Sequence, residues 1–543
     1  MAGREQGQPA KRLRGHALDL ARGAAEQKER VESGESSLAT GLLSLWAHGN
    51  IAATTMCWLA HLATLDGVEH VEVVALAKAG NFGQVPGDCA RDVTRRFCSA
   101  SRVPEPLQVP IPVLDRTTNK DSTEDAGIML PHMVFSTLAT GYPAIFESLG
   151  LHKLEAFWNS ALATGDDRLE NVPALKGRDW KRKVVPLFVH GDGVEYQTRD
   201  SLMVWSFGSL LSLFSDSLMK HFLMAMFPKI ATSASTWPAI MKWLVWSFDA
   251  LAKGYHPQKG PENEPLTKGS VFEKLKGQPL TPGHHKGIIW SLQGDHDFFS
   301  NVVGLPHWQS HYPCWECDAS LKEEAARHGK WVKEIEQDKQ NFVRVTSKQA
   351  ARLSMFTNPK TPWAVTPFLE CKGAENKHLL KPLATVAGKL LDTTEPVQCS
   401  MLSALECMSD LVEVFDAADM FLADNEFRKA ESLAKGFLDS YSFLNQWPLE
   451  KGYPGFRIVM KHHTFQHLVE NSRFLNPRAH WCFASEDFVG RVSRLAKSAS
   501  SGVRSTRLSV KSMHKYRILM HLLMTRPSIH DVVPELDGMA DEF

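Results

Sequence analysis

Apolar positions change their period along the chain, and each change marks a new kind of element. From Ser36 to Leu76 they recur at helical spacing, with Leu42, Leu43, Leu45 and Trp46 followed by Trp58, Leu59 and Leu62, until Gly80 to Gly87 breaks the pattern. Val103 to Leu114, VPEPLQVPIPVL, holds too many prolines for a helix and is expected to be an extended link from an N-terminal helical unit to the rest of the chain. Helical spacing returns over residues 131 to 165, and the basic step Lys181, Arg182 and Lys183 comes after it. The period then shortens. Val184 to Val189 is a compact apolar run, and Ser201 to Leu213 and His221 to Phe227 supply two further strands. Trp237 to Leu251 has the length of an amphipathic helix, Tyr255 to Gly283 reads as a loop, and Gly287 to Leu292 reads as another strand. From about 320 to 450 alternation is gone: Lys322 to Gln337, Pro382 to Leu391 and Met401 to Leu438 read as helices, with a loop around Asn358 to Pro367. Gly455 to Leu475 resumes as a helix, and beyond Asn476-Pro477 the segment HWCFASEDFVGRVSRLAK opens another.

Composition narrows this picture little. A chain of 543 residues exceeds one compact domain, and 43% hydrophobic with 22% charged residues is ordinary for a folded protein. Lys plus Arg equals Asp plus Glu at 61 each, so a surface for a polyanion has to be made by local clustering. Nine sparse cysteines and no secretory leader over Met1 to Leu20 point to a reducing compartment rather than a disulfide framework. The longest apolar region, Ser201 to Phe227, is interrupted by Asp216, Lys220 and His221, which suits buried strands and not a membrane span. The KRLR cluster from Lys11 to Arg14 is read as part of a polar terminus ahead of a nuclear address.

The candidate chemistry lies where the period changes. Val184 to Val189 runs into His190-Gly191-Asp192-Gly193, and Gly287 to Leu292 stops at Gly294-Asp295, so two strands each deliver a carboxylate. Asp297 lies near Asp295, but the strand-end position favours Asp295. Cys314 and Cys317, two residues apart, can grip one tetrahedral metal. His463 and His467 share a helix face at i and i+4, with His462 beside them, and His307 and His311 are alternative nitrogens. Buried reduced cysteines and helix-surface histidines are the competing reading of this set. Phe488 to His530 contains no acidic residue, while Arg491, Arg494, Lys497, Arg504, Arg507 and Lys511 all fall within it. Those cations could neutralise phosphates; an ordinary basic helix and loop is the alternative. Trp308, Trp315 and Trp481 flank the motifs and are read as core packing ahead of base stacking.

Taken in order, the GDG at 191–193, the GD at 294–295, the cysteine pair, the histidine pair and the SEDFVG at 485–490 resemble the DDE transposases. The likeness is to the CACTA-type group and, more remotely, to the Transib/RAG recombinase cores, and it covers about residues 180 to 530. It implies an α/β fold: a ribonuclease-H-like mixed sheet with flanking helices, interrupted by a large all-helical insertion and preceded by a mainly helical region. The expected units are a polar tail (1–35), the helical region and Pro-rich linker (36–125), a helical lead-in (126–180), the sheet domain in two parts (181–319 and 456–530), the insertion between them (320–455) and a tail (531–543).

Phosphodiester cleavage needs an activated oxygen nucleophile and a stabilised oxyanion leaving group, which two divalent ions about 3.5–4 Å apart supply. Hard Mg²⁺ or Mn²⁺ ions take carboxylate oxygens. The resemblance implies Asp192 as the ligand bridging both ions, Asp295 on one and Glu486 on the other, with Glu486 preferred to the adjacent Asp487 because Gly490 stands four residues on. It also implies a structural Zn²⁺ on Cys314, Cys317, His463 and His467, with His462 as the alternative to His463. Transposon ends and target double-stranded DNA are the expected partners, in a homodimer or larger assembly, without a membrane and in the nucleus. Two rival readings are a catalytically retired DNA-binding or scaffold descendant and a stand-alone nuclease. The further DNA-binding segments of longer family members are not recognisable in residues 1 to 125.

Overall fold

A computed structural model describes residues 35–115, 119–166, 168–198, 200–307, 310, 314–316, 373–450, 456, 458, 460–500 and 504–526. The terminal tails with the KRLR cluster, Cys317, His311, Trp308, the expected Lys322 to Gln337 helix and the Asn358 to Pro367 loop lie outside these residues.

Four helices open the described chain: α1 (Ser37–Ala47), α2 (Ala53–Leu65), α3 (Val71–Lys78) and α4 (Pro86–Phe97). The Ser36 hydroxyl caps α1 by accepting from the Ala39 N–H at 3.2 Å. The segment expected to be a linker is instead a strand. β1 (Leu107–Asp115) pairs antiparallel with β2 (Lys120–Ile128) along its whole length, from Leu107 opposite Ile128 to Asp115 opposite Lys120. Val109, Ile111 and Val113 alternate inward while Pro110 and Pro112 point away, and the strand lies at a sheet edge, where missing N–H donors leave no partner wanting.

Beyond β2 come α5 (Pro131–Gly141) and α6 (Leu154–Ala163), then β3 (Val184–Gln197), β4 (Asp200–Ser209), β5 (Phe222–Pro228), α7 (Thr236–Lys253) and β6 (Lys286–Gln293). These form a six-stranded mixed sheet in the order β1-β2-β5-β4-β3-β6. β3, β4 and β5 are an antiparallel meander; α7 crosses over and returns β6 parallel to β3, with Val184 opposite Lys286 and His190 opposite Gln293. β2 meets β5 at a single registered pair, Ile128 and Ala225.

Alternation along these strands sorts the residues between two helical layers. Phe207 on one face meets Phe248 of α7 at 6.1 Å between ring centroids. The other face carries Phe188, His190 and His221, and the His221 ring stacks at 5.0 Å on Phe488 of α12 (Phe483–Ala499). The C-terminal α13 (Ser505–Thr525) covers β2 and β5, with Met513 against Gly127, the Tyr516 hydroxyl accepting the Leu223 N–H at 3.1 Å and the Ser509 hydroxyl accepting the Gly127 N–H at 3.2 Å. One hydrophobic core runs from α1 to α13, so the N-terminal helices share it with the sheet.

The helical segment that interrupts the sheet-forming part contributes α8 (Gly373–Leu390), α9 (Pro396–Ala417) and α10 (Asp424–Glu450), with α11 (Met460–Asn471) after them. It has a small core of its own, around Leu411, Phe415, Ala430, Ala434 and Val469. Asn476 fastens it to the strap leading into α12, its amide donating to the carbonyls of Phe415 and Asp419 at 2.9 Å each.

Candidate active site and metal centre

The β3–β4 hairpin outruns its parallel neighbour. β6 stops opposite His190, whereas β3 stays paired to β4 as far as Gln197, and Asp192 faces Val204 in that pairing. Asp192 therefore does not lie past the end of its strand, as the apolar run implied; it sits within β3 at the point where β6 gives out. The reason is local: after His190 one face has lost its cover, so the residues turn from uniformly buried to alternating while the backbone ladder continues.

Three close approaches shape this corner. A Cβ on Gly191 would stand 2.0 Å from the Phe298 ring, and one on Gly294 would stand 2.2 Å from it. The same ring meets Trp205 at 5.0 Å. A Cβ on Gly193 would strike the Lys229 ammonium at 2.4 Å, so that lysine, just past the end of β5, lies against the Asp192 segment. Asp295, one residue past Gly294, caps the turn that carries Phe298 by accepting its N–H at 2.6 Å. Gly193 donates its N–H to the Asp192 carboxylate at 2.6 Å.

Glu486 arrives through the strap before α12. Ser291 and Gln293, alternate residues of β6, bind it: the Ser291 hydroxyl pairs with His480 Nδ1 at 2.7 Å, and the Gln293 amide donates to the Ala479 carbonyl at 3.0 Å. α12 then begins beside Gly294, with Glu486 in its first turn. Burial first, then the charge of Asp295 and more weakly that of Glu486, push the Asp192 carboxyl up to about 6, against the Gly193 N–H and the Lys229 ammonium. The Cys482 thiol is pushed up to about 11 by burial and by Glu486, Asp192 and Asp295 together, while the Gly294 N–H donates to its sulfur. All three expected carboxylates thus share one electrostatic field. They are more open than a closed cage: among the described residues, only Cys314, His463 and His467 bring three donor atoms within 4.8 Å of one another.

The adjacent Asp487 has other work. It accepts the Ser217 hydroxyl at 2.5 Å and pairs with Arg491 at 3.0 Å, and Arg491 reaches Asp216 at 3.5 Å. Asp297 is exposed on the turn after Asp295. Lys229 and Cys482 were not found from sequence. They become neighbours of the carboxylates only through strand pairing and the strap; Lys229 did carry the strand-end signal that singled out the aspartates.

In the Cys/His group, the Glu316 N–H donates to Cys314 Sγ at 3.4 Å, and the Asn471 amide holds the Glu316 carboxylate at 2.7 Å. His467 Nδ1 faces the Glu470 carboxylate at 2.9 Å, and its Nε2 lies 3.2 Å from His463 Nε2. Donation from Nδ1 to Glu470 leaves the Nε2 of a neutral His467 with its lone pair toward His463 and Cys314, the tautomer a metal ligand requires. His462 points elsewhere, its ring 4.2 Å from that of Tyr441. The fourth expected donor, Cys317, is outside the described residues.

The basic run divides. Arg491, 13% exposed, is paired with Asp216 and Asp487 rather than free. Arg507 pairs with Glu124 at 3.6 Å, Arg517 with Glu105 at 3.5 Å and Arg526 with Glu72. Acids distant in sequence therefore answer a stretch that has none of its own. Lys497, Arg504 and Lys511 stay exposed, and Arg494 is half-buried. Trp481 packs against the small helical core with the Lys377 ammonium 4.1 Å over its ring, and Trp315 lies 5.0 Å from Phe299. No described helix is long and apolar enough to cross a membrane. Comparison with protein-family models, curated proteins and solved structures gave no match.

Proposed function

We propose that the chain is a DDE-type DNA transposase that cleaves and joins phosphodiester bonds at transposon ends with Asp192, Asp295 and Glu486. The observation that carries this reading is the gathering of three carboxylates from β3, the end of β6 and the first turn of α12 at one corner, where burial first, and then the charges of Asp295 and Glu486, push the Asp192 carboxyl up to about 6. Three carboxylates that repel one another in one corner fit a site built for cations, and their donors are the hard oxygens that Mg²⁺ or Mn²⁺ takes. When bound, a pair of such ions supplies Lewis acidity and a water of lowered pKa. Asp192, which feels the charges of both others, would be the ligand shared by the two ions, with Asp295 and Glu486 on one each. Lys229 is placed to attract a phosphate of the strand to the same corner.

The sheet supports the same reading. Three antiparallel strands, a crossover helix and then a strand parallel to the first are what a ribonuclease-H-like reading expects, with carboxylates on the first strand, just past the fourth and on a late helix. Cys314, His463 and His467 suit a structural Zn²⁺ that would fix the helical segment beside the carboxylates. DNA is the partner for which Lys497, Arg504 and Lys511 are exposed. A retired scaffold is the second reading, favoured by the engagement of Asp295 as a turn cap.

Cleavage of labelled duplex DNA in Mg²⁺ or Mn²⁺ separates the two. The active reading expects cleavage by the wild type and a loss of at least about 10³-fold in Asp192→Ala, Asp295→Ala and Glu486→Ala, with folding retained. Cleavage that survives in one variant removes that residue from the site. No cleavage by the wild type, with DNA binding intact, assigns the scaffold role.

A further inference from the structure

A cavity lies under the helical segment, on the α12 side of the sheet. Its volume is about 550 Å³, within the range of small-ligand sites. Its wall takes Phe188 from β3, Gln293 from the end of β6, Ser485 from the first turn of α12, and Asp419 to Phe421 from the turn between α9 and α10. Its lining includes Gln293, two residues before Asp295, and Ser485, next to Glu486, but none of the three carboxylates.

The cavity has an unbalanced charge. Lys153, Lys220 and Arg478 line it against a single carboxylate, Asp419, which already accepts the Met420 N–H at 2.8 Å. Arg478 donates to the Asp416 carbonyl at 2.5 Å and so is anchored in place. Burial, then the charge of Arg478, lowers the pKa of Lys220, and among the described residues Lys220 has no carboxylate partner. His221 adds no charge, since burial, His190 and Lys220 hold it well below its ordinary value.

Independent of charge, Ser485 is 1% exposed and lines the cavity, and its hydroxyl has no hydrogen-bond partner among the described residues. A buried hydroxyl of this kind ordinarily has one. Three aromatic side chains, Phe157, Phe421 and Trp481, also line it, the first two rings 5.3 Å apart, beside aliphatic residues such as Leu210 and Leu211. Convergent cations, an unused buried donor and flat apolar walls are the complement of a phosphate joined to a nucleobase.

We propose that this cavity is a binding site for a nucleoside phosphate, with Lys220, Arg478 and Lys153 around the phosphate, Ser485 donating to it and the base against Phe157, Phe421 and Trp481. The inference stands apart from the catalytic reading, because none of its residues is assigned to bond cleavage. The phosphate belongs either to a nucleotide within a DNA strand or to a free nucleotide, and the probes distinguish these.

The full chain is titrated by calorimetry with inorganic phosphate, deoxyadenosine monophosphate and a short single-stranded oligodeoxynucleotide, beside Lys220→Met and Ser485→Ala. Removing a hydrogen bond or ion pair to a charged group is expected to weaken binding by about tenfold or more. Variant-sensitive binding of the mononucleotide assigns a free nucleotide; variant-sensitive binding of the oligonucleotide alone assigns a strand. No binding of any probe, or equal binding by the wild type and both variants, overturns the proposal. Lys220→Met removes an unpaired cation facing Arg478, so without ligand it is expected to melt at or above the wild-type temperature. If it fails to fold, Ser485→Ala alone decides.

Discussion

Replacing Asp192 by Asn in metal-free protein is expected to stabilise the fold. The Asp192 carboxyl stands at about 6 in the folded chain against an ordinary 3.8. A carboxyl whose folded pKa is raised holds its proton more tightly when folded, so the folded state loses stability as pH rises from 3.8 towards 6 and carries the full loss above that. A shift of roughly 2 units corresponds to about 3 kcal/mol at most, and the partial exposure of the group reduces this to about 1–2 kcal/mol. Asparagine keeps the shape and an oxygen for the Gly193 N–H, so the gain reads the charge alone. In a chain of this length it amounts to a rise of about 1–2 °C in melting temperature at pH 7.5 in EDTA, shrinking to nothing near pH 4. Addition of Mg²⁺ should reverse the order, since only the wild type keeps the full ligand set, and each hundredfold excess of free ion over its Kd adds about 2.7 kcal/mol. Identical melting curves for the two proteins in EDTA, at every pH, would refute the claim that the three carboxylates share a field.

The supports of the two sites can be tested in turn. Metal analysis of chain purified without chelator is expected to find zinc, and Glu470→Gln, which removes the partner of His467 Nδ1, should weaken its retention about 10–100-fold in a chelator competition; absence of zinc in the wild type discards the centre. Gly191→Ala drives a methyl into the Phe298 ring and is expected to lower stability by about 1–3 kcal/mol in urea unfolding and to displace Asp295, whose carboxylate is tied to the Phe298 N–H; an unchanged midpoint and unchanged cleavage contradict this. Arg526→Ala strands Glu72, whose carboxyl is held below its ordinary value, in spite of burial, by hydrogen bonds from Arg526 and the Ser36 N–H, and should cost about 3 kcal/mol near pH 7. That deficit falls away as pH drops below 4.5, where the stabilised ionised form is lost, and a pH-independent deficit would show that packing, not charge, is responsible.

Much of the sheet was legible because several of its strands read as short continuous apolar runs, the inner ones, β3 and β5, being buried over most of their length. Val184 to Val189, His221 to Phe227 and Gly287 to Leu292 each fall inside or overlap a strand. The β1–β2 hairpin was not legible, for opposite reasons in its two strands. β1 carries two prolines that suggested a link, and β2, KDSTEDAGI, is exposed over most of its length; only Ala126 to Ile128 are buried, under a helix from the far end of the chain. Part of the basic run takes on a different aspect in space. Its lack of acids is a fact about sequence neighbours, whereas pairing is decided by spatial ones, and Glu72, Glu105, Glu124 and Asp216 come from segments hundreds of residues earlier.

The two Gly-Asp signals lie at one corner of the structure for a reason other than the one that drew attention to them. Both were read as strand endings, yet Asp192 continues in its strand, and only Asp295 lies past one. What the glycines share is the Phe298 ring, which lies so close to Gly191 and Gly294 that neither position has room for a Cβ. The ring is wedged between the projecting hairpin and the end of β6, and Asp295 holds the turn that bears it through the Phe298 N–H. The separation of the two aspartates is therefore set by an aromatic side chain packed between backbones rather than by flexible loops. Glu486 is set by a different device, the stitching of Ser291 and Gln293 to the strap before α12. Rigid placement from three independent elements is what lets like charges be held together against their repulsion, and small residues beside Asp192 and Asp295 mark the close packing that this placement needs even where the secondary-structure reading of one of them fails.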